Sequence, residues 1–359
     1  MATAPSRMAG QSFLLAGGWS SKMRLLSICI FIGWLSLSFL SGASGEITGG
    51  APITVTDFRG RQLVFQAPVK RIVCLIESAL SGLYMLNEEK RVIAVSRNVY
   101  DKPLVSYYAG MDERIRSRRI PAPGNWDFVN IESVISLKPD LVILWTQQTE
   151  SISALEERGI PVFGVFIRQK EDVYKEMTAL GKLTGNQKRA QNLVSYTQDE
   201  ILRCQRRLMN VPESRRPGVY YMWAQGNLET AGGSSTVNDL ITLAGGQNVS
   251  ASIPQEHLVV NLERVIGWNP DVIVMWYNER KDPSDIIRDP QWQMIKAVKE
   301  KRVYELPEIF LCDLWTLKFQ YAVKMVSKWC HPGLFQDISL EREREKMLRT
   351  LYGKKTLGD

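Results

Sequence analysis

The sequence predicts an α/β protein of two Rossmann-like lobes, each with a parallel sheet, joined by a single long α-helix, with a ligand cleft between the lobes. Three observations support this fold class: an internal repeat, short apolar strands that alternate with helices, and a long helical tract in the middle of the chain. At 359 residues, 45% of them hydrophobic, the chain is large enough to bury two cores.

The internal repeat is the most specific of these observations. Residues 129–145 and 260–276 agree at eight of 17 positions, and most other positions exchange one apolar residue for another. Each copy contains a short helix with one Glu, a stop at Pro-Asp, and a buried strand that ends in Trp. An offset of 131 residues is far too long for a solenoid, so the repeat indicates two similar lobes. Clefts between domains are common binding sites for small molecules.

The amino-terminal segment has the pattern of a secretory signal peptide, assigned to residues 1–45. Lys22 and Arg24 precede an apolar run at 25–40, and small residues suited to cleavage follow at 41–45. The run is shorter than the roughly 20 residues of a membrane span. An uncleaved anchor and a start at Met23 remain alternatives. The protein is therefore expected to be exported, to the periplasm or the outer face of the cytoplasmic membrane.

The amino-terminal lobe is assigned to residues 46–185. The patterns predict a hairpin at 53–65, strands at 71–76, 91–95, 141–145 and 161–166, and helices at 79–86 and 151–158. A long loop is predicted at 97–125, and its arginine-rich stretch at 114–119 is interpreted as a solvated charge run. Because basic–aromatic alternation and nucleic-acid motifs are missing from the sequence, no nucleic-acid partner is expected.

The linking helix is assigned to residues 186–212. A helix at 171–183 is followed by a break at Gly185-Asn186, after which apolar residues recur at helical spacing from 187 to 208. A helix of about 22 residues spans roughly 33 Å, enough to run the height of a lobe. Such a rigid connection would limit hinge opening. An ordinary packing helix of the first lobe is the alternative.

The carboxy-terminal lobe is assigned to residues 213–335, and a helical tail to 336–359. The patterns predict strands at 218–223, 272–276 and 302–306, and helices at 236–243, near 292–298, at 314–329 and at 341–351. The last helix is charged and amphipathic, and is expected to pack on the outside. Four cysteines follow the signal segment without a zinc-binding pattern. Cys74 is expected to be buried and inert, whereas an oxidising compartment permits a Cys312–Cys330 bridge.

The candidate ligand site follows from the rule that ligands gather beyond the carboxyl ends of parallel strands. This rule nominates residues from both lobes: Glu77, Arg97, Tyr100, Trp145, Arg168, Trp223, Trp276, Tyr277 and Trp315, the last in the segment after residue 306. Trp126 and His257 join them because each lies six residues before the Glu of its repeat copy, which is expected to place them across the cleft from each other.

Several Trp residues at one rim favour a wide, flat, partly apolar ligand. The arginines nearby would suit a chelate or macrocycle that carries carboxylates. Core packing is the alternative explanation for any single Trp. His257 likewise has two interpretations, a structural histidine or an axial contact to a metal.

Glu132 and Glu263 occupy the same position in the two repeat copies. A Glu in the first turn of a helix interacts favourably with the helix dipole, which is one explanation for both residues. The other is that the two carboxylates project from the lobes as paired docking points for a two-fold partner.

Groups for catalysis are scarce in this sequence. The chain has only two histidines and contains no HExxH, GxSxG, Walker or GxGxxG signature. No catalytic residue and no cofactor are therefore assigned. A two-lobed Rossmann-type enzyme such as a glycosyltransferase is the alternative, but it would need a base and a nucleotide-phosphate site.

The chain resembles the periplasmic binding proteins that deliver iron-siderophores, haem and cobalamin to ABC importers. The similarity covers roughly residues 52–335 and rests on short matching segments: Val55-Thr56-Asp57 with Gly60-Arg61, Arg71-Ile72-Val73, both repeat blocks, 232–246 and Arg302-Val303-Tyr304. The vitamin B12-binding proteins are similar in having Trp at the positions of Trp126 and Trp145 and an aromatic residue at Trp223. They have a further Trp where this chain has His257.

The resemblance implies an extracytoplasmic solute-binding protein rather than an enzyme. It implies two lobes on one long helix, with a metal chelate as the transported ligand and an ABC permease dimer in the membrane as the partner. Glu132 and Glu263 would seat against basic residues of that dimer. The protein is expected to be a monomer. The chelate stays open between an iron-siderophore, haem and a corrinoid.

Overall fold

The computed structural model describes residues 51–353, which form two α/β lobes. The predicted signal peptide and the end of the helical tail lie outside the described residues. Within residues 51–353, none of the helices has the length and apolar character needed to cross a bilayer.

The amino-terminal lobe has a four-stranded sheet with a hairpin beside it. The hairpin strands are β1 (Ile53–Thr56) and β2 (Gln62–Phe65), and the turn contains Gly60 at φ 82°, a conformation that favours glycine. The sheet strands are β3 (Ile72–Cys74), β4 (Val92–Val95), β5 (Leu141–Trp145) and β6 (Val162–Val165). They are parallel in the order β4-β3-β5-β6. Such apolar strands are typical of a sheet covered on both faces.

Six helices accompany this sheet within the described residues. They are α1 (Glu77–Met85), α2 (Leu104–Met111), α3 (Glu113–Arg116), α4 (Ile131–Ser136), α5 (Thr149–Glu156) and α6 (Lys170–Thr184). The prediction of one long loop at 97–125 was wrong, because α2 and α3 lie within it. Arg114 is also not simply solvated: it pairs with Asp112 at 2.7 Å and donates to the carbonyl of Glu89 at 2.6 Å.

The carboxy-terminal lobe repeats the design around a second parallel sheet. Its strands β7 (Gly218–Met222), β9 (Gln247–Asn248), β11 (Val272–Met275) and β12 (Val303–Glu305) lie in the order β12-β11-β7-β9, and β8 (Glu229–Thr230) pairs antiparallel with β10 (Leu258–Val259). The helices are α8 (Thr236–Leu243), α9 (Leu262–Trp268), α10 (Pro283–Arg288), α11 (Lys296–Lys299), α12 (Phe319–Cys330) and α13 (Leu340–Tyr352). The two-lobed α/β fold is confirmed.

Two details of this lobe differ from the prediction. Helix α12 begins at Phe319 rather than at 314, since the Asp313 carboxylate accepts the amide of Trp315 at 2.9 Å and holds an irregular segment there. The Cys312–Cys330 bridge, which the sequence permits, is not formed: both cysteines are free and buried, as Cys74 is.

Helix α7 (Gln187–Leu208) connects the lobes with the predicted bounds. It packs against α6 of the amino-terminal lobe and against α12 of the carboxy-terminal lobe. Because it contacts both lobes, the linking role is favoured over that of a packing helix of the first lobe alone.

The lobes share one apolar core instead of having two separate ones. A single cluster runs from β3 and α1 through α7 to α8, α12 and α13. Ile72 and Cys74 belong to this shared cluster, whereas Val73 belongs to a smaller cluster of the amino-terminal lobe. This alternation follows the two-residue period of a strand. A third cluster around Tyr220 and Ile273 completes the carboxy-terminal lobe.

Helix α13 does not pack on the outside as predicted. Its inward face, formed by Met347, Leu348, Leu351 and Tyr352, is buried. The Tyr352 hydroxyl lies 2.6 Å from Ser81 Oγ on α1, and Lys346 pairs with Glu200 on α7 at 2.9 Å. Since Lys324 on α12 also pairs with Glu343, α13 joins both lobes and the linking helix.

Candidate ligand-binding cleft

A cleft of about 880 Å³ opens where the two lobes meet. The amino-terminal lobe supplies most of its lining from the ends of β3 and β5 and the segments that follow them. The carboxy-terminal lobe supplies Ile309, Asp313 and Trp315. The carboxyl ends of parallel strands therefore meet the cleft, as is usual for α/β sheets.

Aromatic side chains from both lobes line the cleft. Trp145 is the last residue of β5, Phe166 directly follows β6, and Trp126 is 54% exposed in the loop before α4. Trp315 lines it from the other lobe and stacks on Trp223, with ring centroids 6.2 Å apart and planes 2° from parallel. Such faces suit a ligand with a broad apolar surface.

Trp223 and Trp276 support the cleft from behind Trp315 and do not line it. The Trp276 ring is 5.5 Å from Trp315 and 5.8 Å from Trp223. His257 stacks on Trp223 at 5.8 Å, and its Nε2 lies 2.6 Å from Glu229 Oε2. Among residues 51–353, no group of three or more His, Cys, Asp or Glu side chains is placed to hold a metal. An axial contact from His257 to a ligand-borne metal stays a prediction.

Two carboxylates, one from each lobe, lie in the lining: Asp313 is buried and Glu77 is half-buried. Glu77 accepts a hydrogen bond from Ser96 Oγ at 2.7 Å, and Asp313 accepts the amide of Trp315. Burial raises the pKa of both carboxyl groups, and the charge of Asp313 raises the pKa of Glu77 further. Asp127 and Glu150 add two more carboxylates, so the lining formed by residues 51–353 is acidic and includes no Lys, Arg or His.

A second polar layer lies beneath this lining. Ser78 donates to Glu176 Oε1 at 3.2 Å, and burial raises the pKa of Glu176 to about 8. Lys318 donates to the carbonyl of Phe310 at 2.8 Å, and burial lowers its pKa to about 8. Both groups thus favour their neutral forms more than they would in water.

Several nominated residues lie away from the lining. Arg97 is exposed, and Tyr100 donates to the carbonyl of Ile120 at 2.6 Å beneath the guanidinium of Arg118. Arg168 lies over the Phe166 ring at 4.8 Å, and Tyr277 is half-buried outside the cleft. Of the nominated residues, the structure brings four together in the lining: Glu77, Trp126, Trp145 and Trp315.

Sequence reasoning missed Phe166, Asn98, Asp127, Glu150 and Asp313 in this lining. The strand-end rule could have found Phe166, because it follows β6 directly. Asp313 lies in the segment after residue 306, which the strand-end rule nominated without naming this carboxylate.

Glu132 and Glu263 lie at the second residue of α4 and of α9, and both are exposed. In each helix the preceding Asn caps the first turn: Asn130 accepts from Ser133 at 2.9 Å, and Asn261 from Arg264 at 3.0 Å. The Asn side chains therefore cap the helices, and the Glu side chains point to solvent. Arg158 approaches Glu132 at 3.8 Å, a surface pair of little energetic weight.

A family model described as periplasmic binding protein matches residues 72–309. The chain belongs to this family. This chain is 26% identical to the molybdate-binding protein MolA of Haemophilus influenzae over 362 residues, which cover 92% of this chain and 98% of MolA. It is 24% identical to the vitamin B12-binding protein of Vibrio parahaemolyticus over 242 residues, covering 67% and 82%. A periplasmic solute-binding protein of Veillonella parvula has the same fold, with a TM-score of 0.69 at 25% identity, covering 86% and 95%.

Family membership confirms three sequence predictions. The chain is a solute-binding protein of the ABC-importer class, its place is outside the cytoplasmic membrane, and its partners are a small molecule and a membrane permease. The relatives are transport proteins and not enzymes.

Proposed function

We propose that this periplasmic binding protein holds a large, flat metal chelate without net negative charge and delivers it unchanged to an ABC permease. The observation that carries the proposal is the cleft lining. It combines three Trp residues with four carboxylates and, within the described residues, no cationic side chain.

The size and walls of the cleft support a macrocycle. A volume of about 880 Å³ lies in the upper part of the roughly 300–1,000 Å³ range of small-molecule sites. An oxyanion such as molybdate is small and is bound by N–H donors and cations. Although one relative is named for molybdate, an acidic, tryptophan-lined cleft does not support an oxyanion here.

The charge of the lining separates the three chelate classes. Arg97 and Arg168 were expected to meet carboxylates on the ligand, but neither lines the cleft. Haem propionates and anionic ferric siderophores would meet four carboxyl groups and, among the described lining residues, no cation to pair with. A corrinoid carries amide groups that donate hydrogen bonds to carboxylates, so a cobalamin-type ligand fits best. His257 is assigned to the support of Trp223, because Glu229 already engages its ring nitrogen.

The outward glutamates support docking to a permease dimer. Glu132 and Glu263 are exposed at matching positions of two similar lobes, which is what a two-fold partner with basic residues would require. The protein would act as a monomer and would catalyse no reaction. A glycosyltransferase is disfavoured because the part of the lining that the structure describes contains no His, Lys or Arg to hold a nucleotide phosphate.

Isothermal titration of the purified protein with cyanocobalamin, haemin, a ferric catecholate and molybdate tests the ligand class. We expect one corrinoid per protein and weaker binding of the anions. Binding of molybdate but not of cyanocobalamin would overturn the assignment. Docking is tested with E132K/E263K, which should keep ligand affinity and lose transport.

A further inference from the structure

Phe128 and Val259 are exposed apolar side chains at matching positions, each directly before one copy of the internal repeat. They are 56% and 73% exposed, whereas the next residues, Val129 and Val260, are 7% and 9% exposed. The two copies therefore show the same alternation, with one apolar residue held out and the next one buried. Single exposed apolar residues are common on protein surfaces, but a pair related by a structural repeat is a different observation.

Ordered backbone holds both side chains. The Phe128 amide donates to Asn125 Oδ1 at 3.0 Å, and its carbonyl accepts the amide of Asn125 at 2.8 Å. A Cβ atom on Gly124 would lie 2.2 Å from the Phe128 oxygen, so this turn is tightly packed. Val259 lies in β10, where it pairs with Glu229 of β8. A partner would meet preorganised contacts, which lowers the entropy cost of binding.

Each apolar residue lies next to one of the outward glutamates. Phe128 precedes the capping Asn130 and then Glu132, and Val259 precedes Asn261 and then Glu263 in the same order. Each lobe thus presents an apolar side chain and a carboxylate beside one helix start. The complementary surface has a basic residue flanked by an apolar patch, present twice.

The two half-sites are similar but not equal. Val259 borders a shallow surface cavity of about 350 Å³ that also includes Ile253, Leu258 and Arg264, whereas Phe128 offers an exposed ring. A dimer of identical permease subunits would therefore meet a larger aromatic contact on one side and a hollow on the other.

We propose that Phe128 and Val259 form an apolar docking pair that the permease dimer buries together with the two glutamates. This inference rests on the proposed docking of Glu132 and Glu263. In this inference the two apolar residues supply most of the binding energy, whereas the two carboxylates orient the protein on the permease.

The experiment measures binding to the ABC permease–ATPase complex that this protein serves in its own cells, reconstituted in lipid nanodiscs. F128D, V259D and the double variant are compared with M209D, a control at a 76% exposed apolar residue outside the repeat. We expect about tenfold weaker binding for F128D, about threefold for V259D and, because separate sites add in free energy, about thirtyfold for the double variant. M209D should bind as the unaltered protein does.

The outcomes separate this inference from the docking of the glutamates. If E132K/E263K binds the permease normally, the docking assignment fails. If E132K/E263K loses binding while F128D and V259D match M209D, only the apolar pair is overturned. Ligand affinity is measured for each variant because Trp126 and Asp127 line the cleft close to Phe128 in the chain. If F128D alters ligand affinity, the apolar pair is judged on V259D alone, because Val259 is outside the lining. Permease binding by V259D equal to that of M209D would then overturn the inference.

Discussion

Replacing Phe310 with Ala should destabilise the protein more than any single change in the cleft lining, because this ring joins both lobes and the last helix. Phe310 is 1% exposed. It stacks on Tyr107 with centroids 4.4 Å apart and planes 7° from parallel, and it meets Tyr108 edge-on at 5.4 Å. It also lies 5.4 Å from the ring of Tyr352, and the Lys318 ammonium lies over it at 4.6 Å.

The magnitude follows from the burial of the ring. A buried Phe→Ala change costs about 3–5 kcal/mol, a range that already includes the cavity left behind. The aromatic partners place Phe310 near the middle or top of that range, at about 4 kcal/mol. For a protein of this size, about 2 °C per kcal/mol corresponds to a fall in melting temperature of about 8 °C.

Urea unfolding and scanning calorimetry of the ligand-free protein check this prediction. Phe128→Ala is the matched control, because it removes the same ring from a 56% exposed position and should cost less than about 0.5 kcal/mol. Phe310→Leu should fall between the two. A loss below about 1 kcal/mol for Phe310→Ala would refute the view that this ring ties the lobes together.

Three further predictions concern charge, thiols and the cleft rim. Burial raises the pKa of Glu176 to about 8 from 4.5, so the folded state keeps a proton that the unfolded chain loses, and the stability from this group falls as pH rises through that window. Urea titrations should therefore show Glu176→Gln becoming more stable relative to the wild type as pH rises from about 5 to about 8. Burial lowers the pKa of Lys318 to about 8, so this group changes the pH dependence of stability only above that range. Dithiothreitol should leave the melting temperature within about 1 °C, because the cysteines of the described chain are free; a clear fall would indicate a bridge. Trp126→Ala should weaken ligand binding about tenfold with little change in melting temperature, since this ring is half exposed; unchanged affinity would place the ligand elsewhere.

Much of the fold could be predicted because local patterns and tertiary structure agree. The strand at 141–145 and the helix at 187–208 have the predicted bounds, since period and end signals coincide there. Helices α2 and α10 were missed because they are short, at eight and six residues, and a proline stands directly before α2 and at the start of α10. Helix α13 was placed outside because its charge pattern shows one polar face but not which surfaces the other face covers.

The site was less predictable than the fold. Strand ends identified Glu77, Trp145 and Trp315 because the rule depends only on topology. The same rule also nominated residues that do not line the cleft: Arg97 and Arg168 follow strands, but Arg97 is exposed and Arg168 lies over the Phe166 ring. Asp313 reached the lining through an irregular segment that no periodicity describes.

The contacts of α13 with α1, α7 and α12 affect how a permease can distinguish the ligand-bound protein from the ligand-free protein. Because α13 contacts three helices in both lobes and the connection between them, the lobes can rotate little relative to each other. Ligand binding is therefore expected to shift the equilibrium between open and closed lobes only slightly. A permease that binds such a rigid protein would have to contact the ligand directly, at the cleft opening beside Trp126, rather than detect a domain closure. Solution scattering of the loaded and empty forms would then give nearly the same radius of gyration.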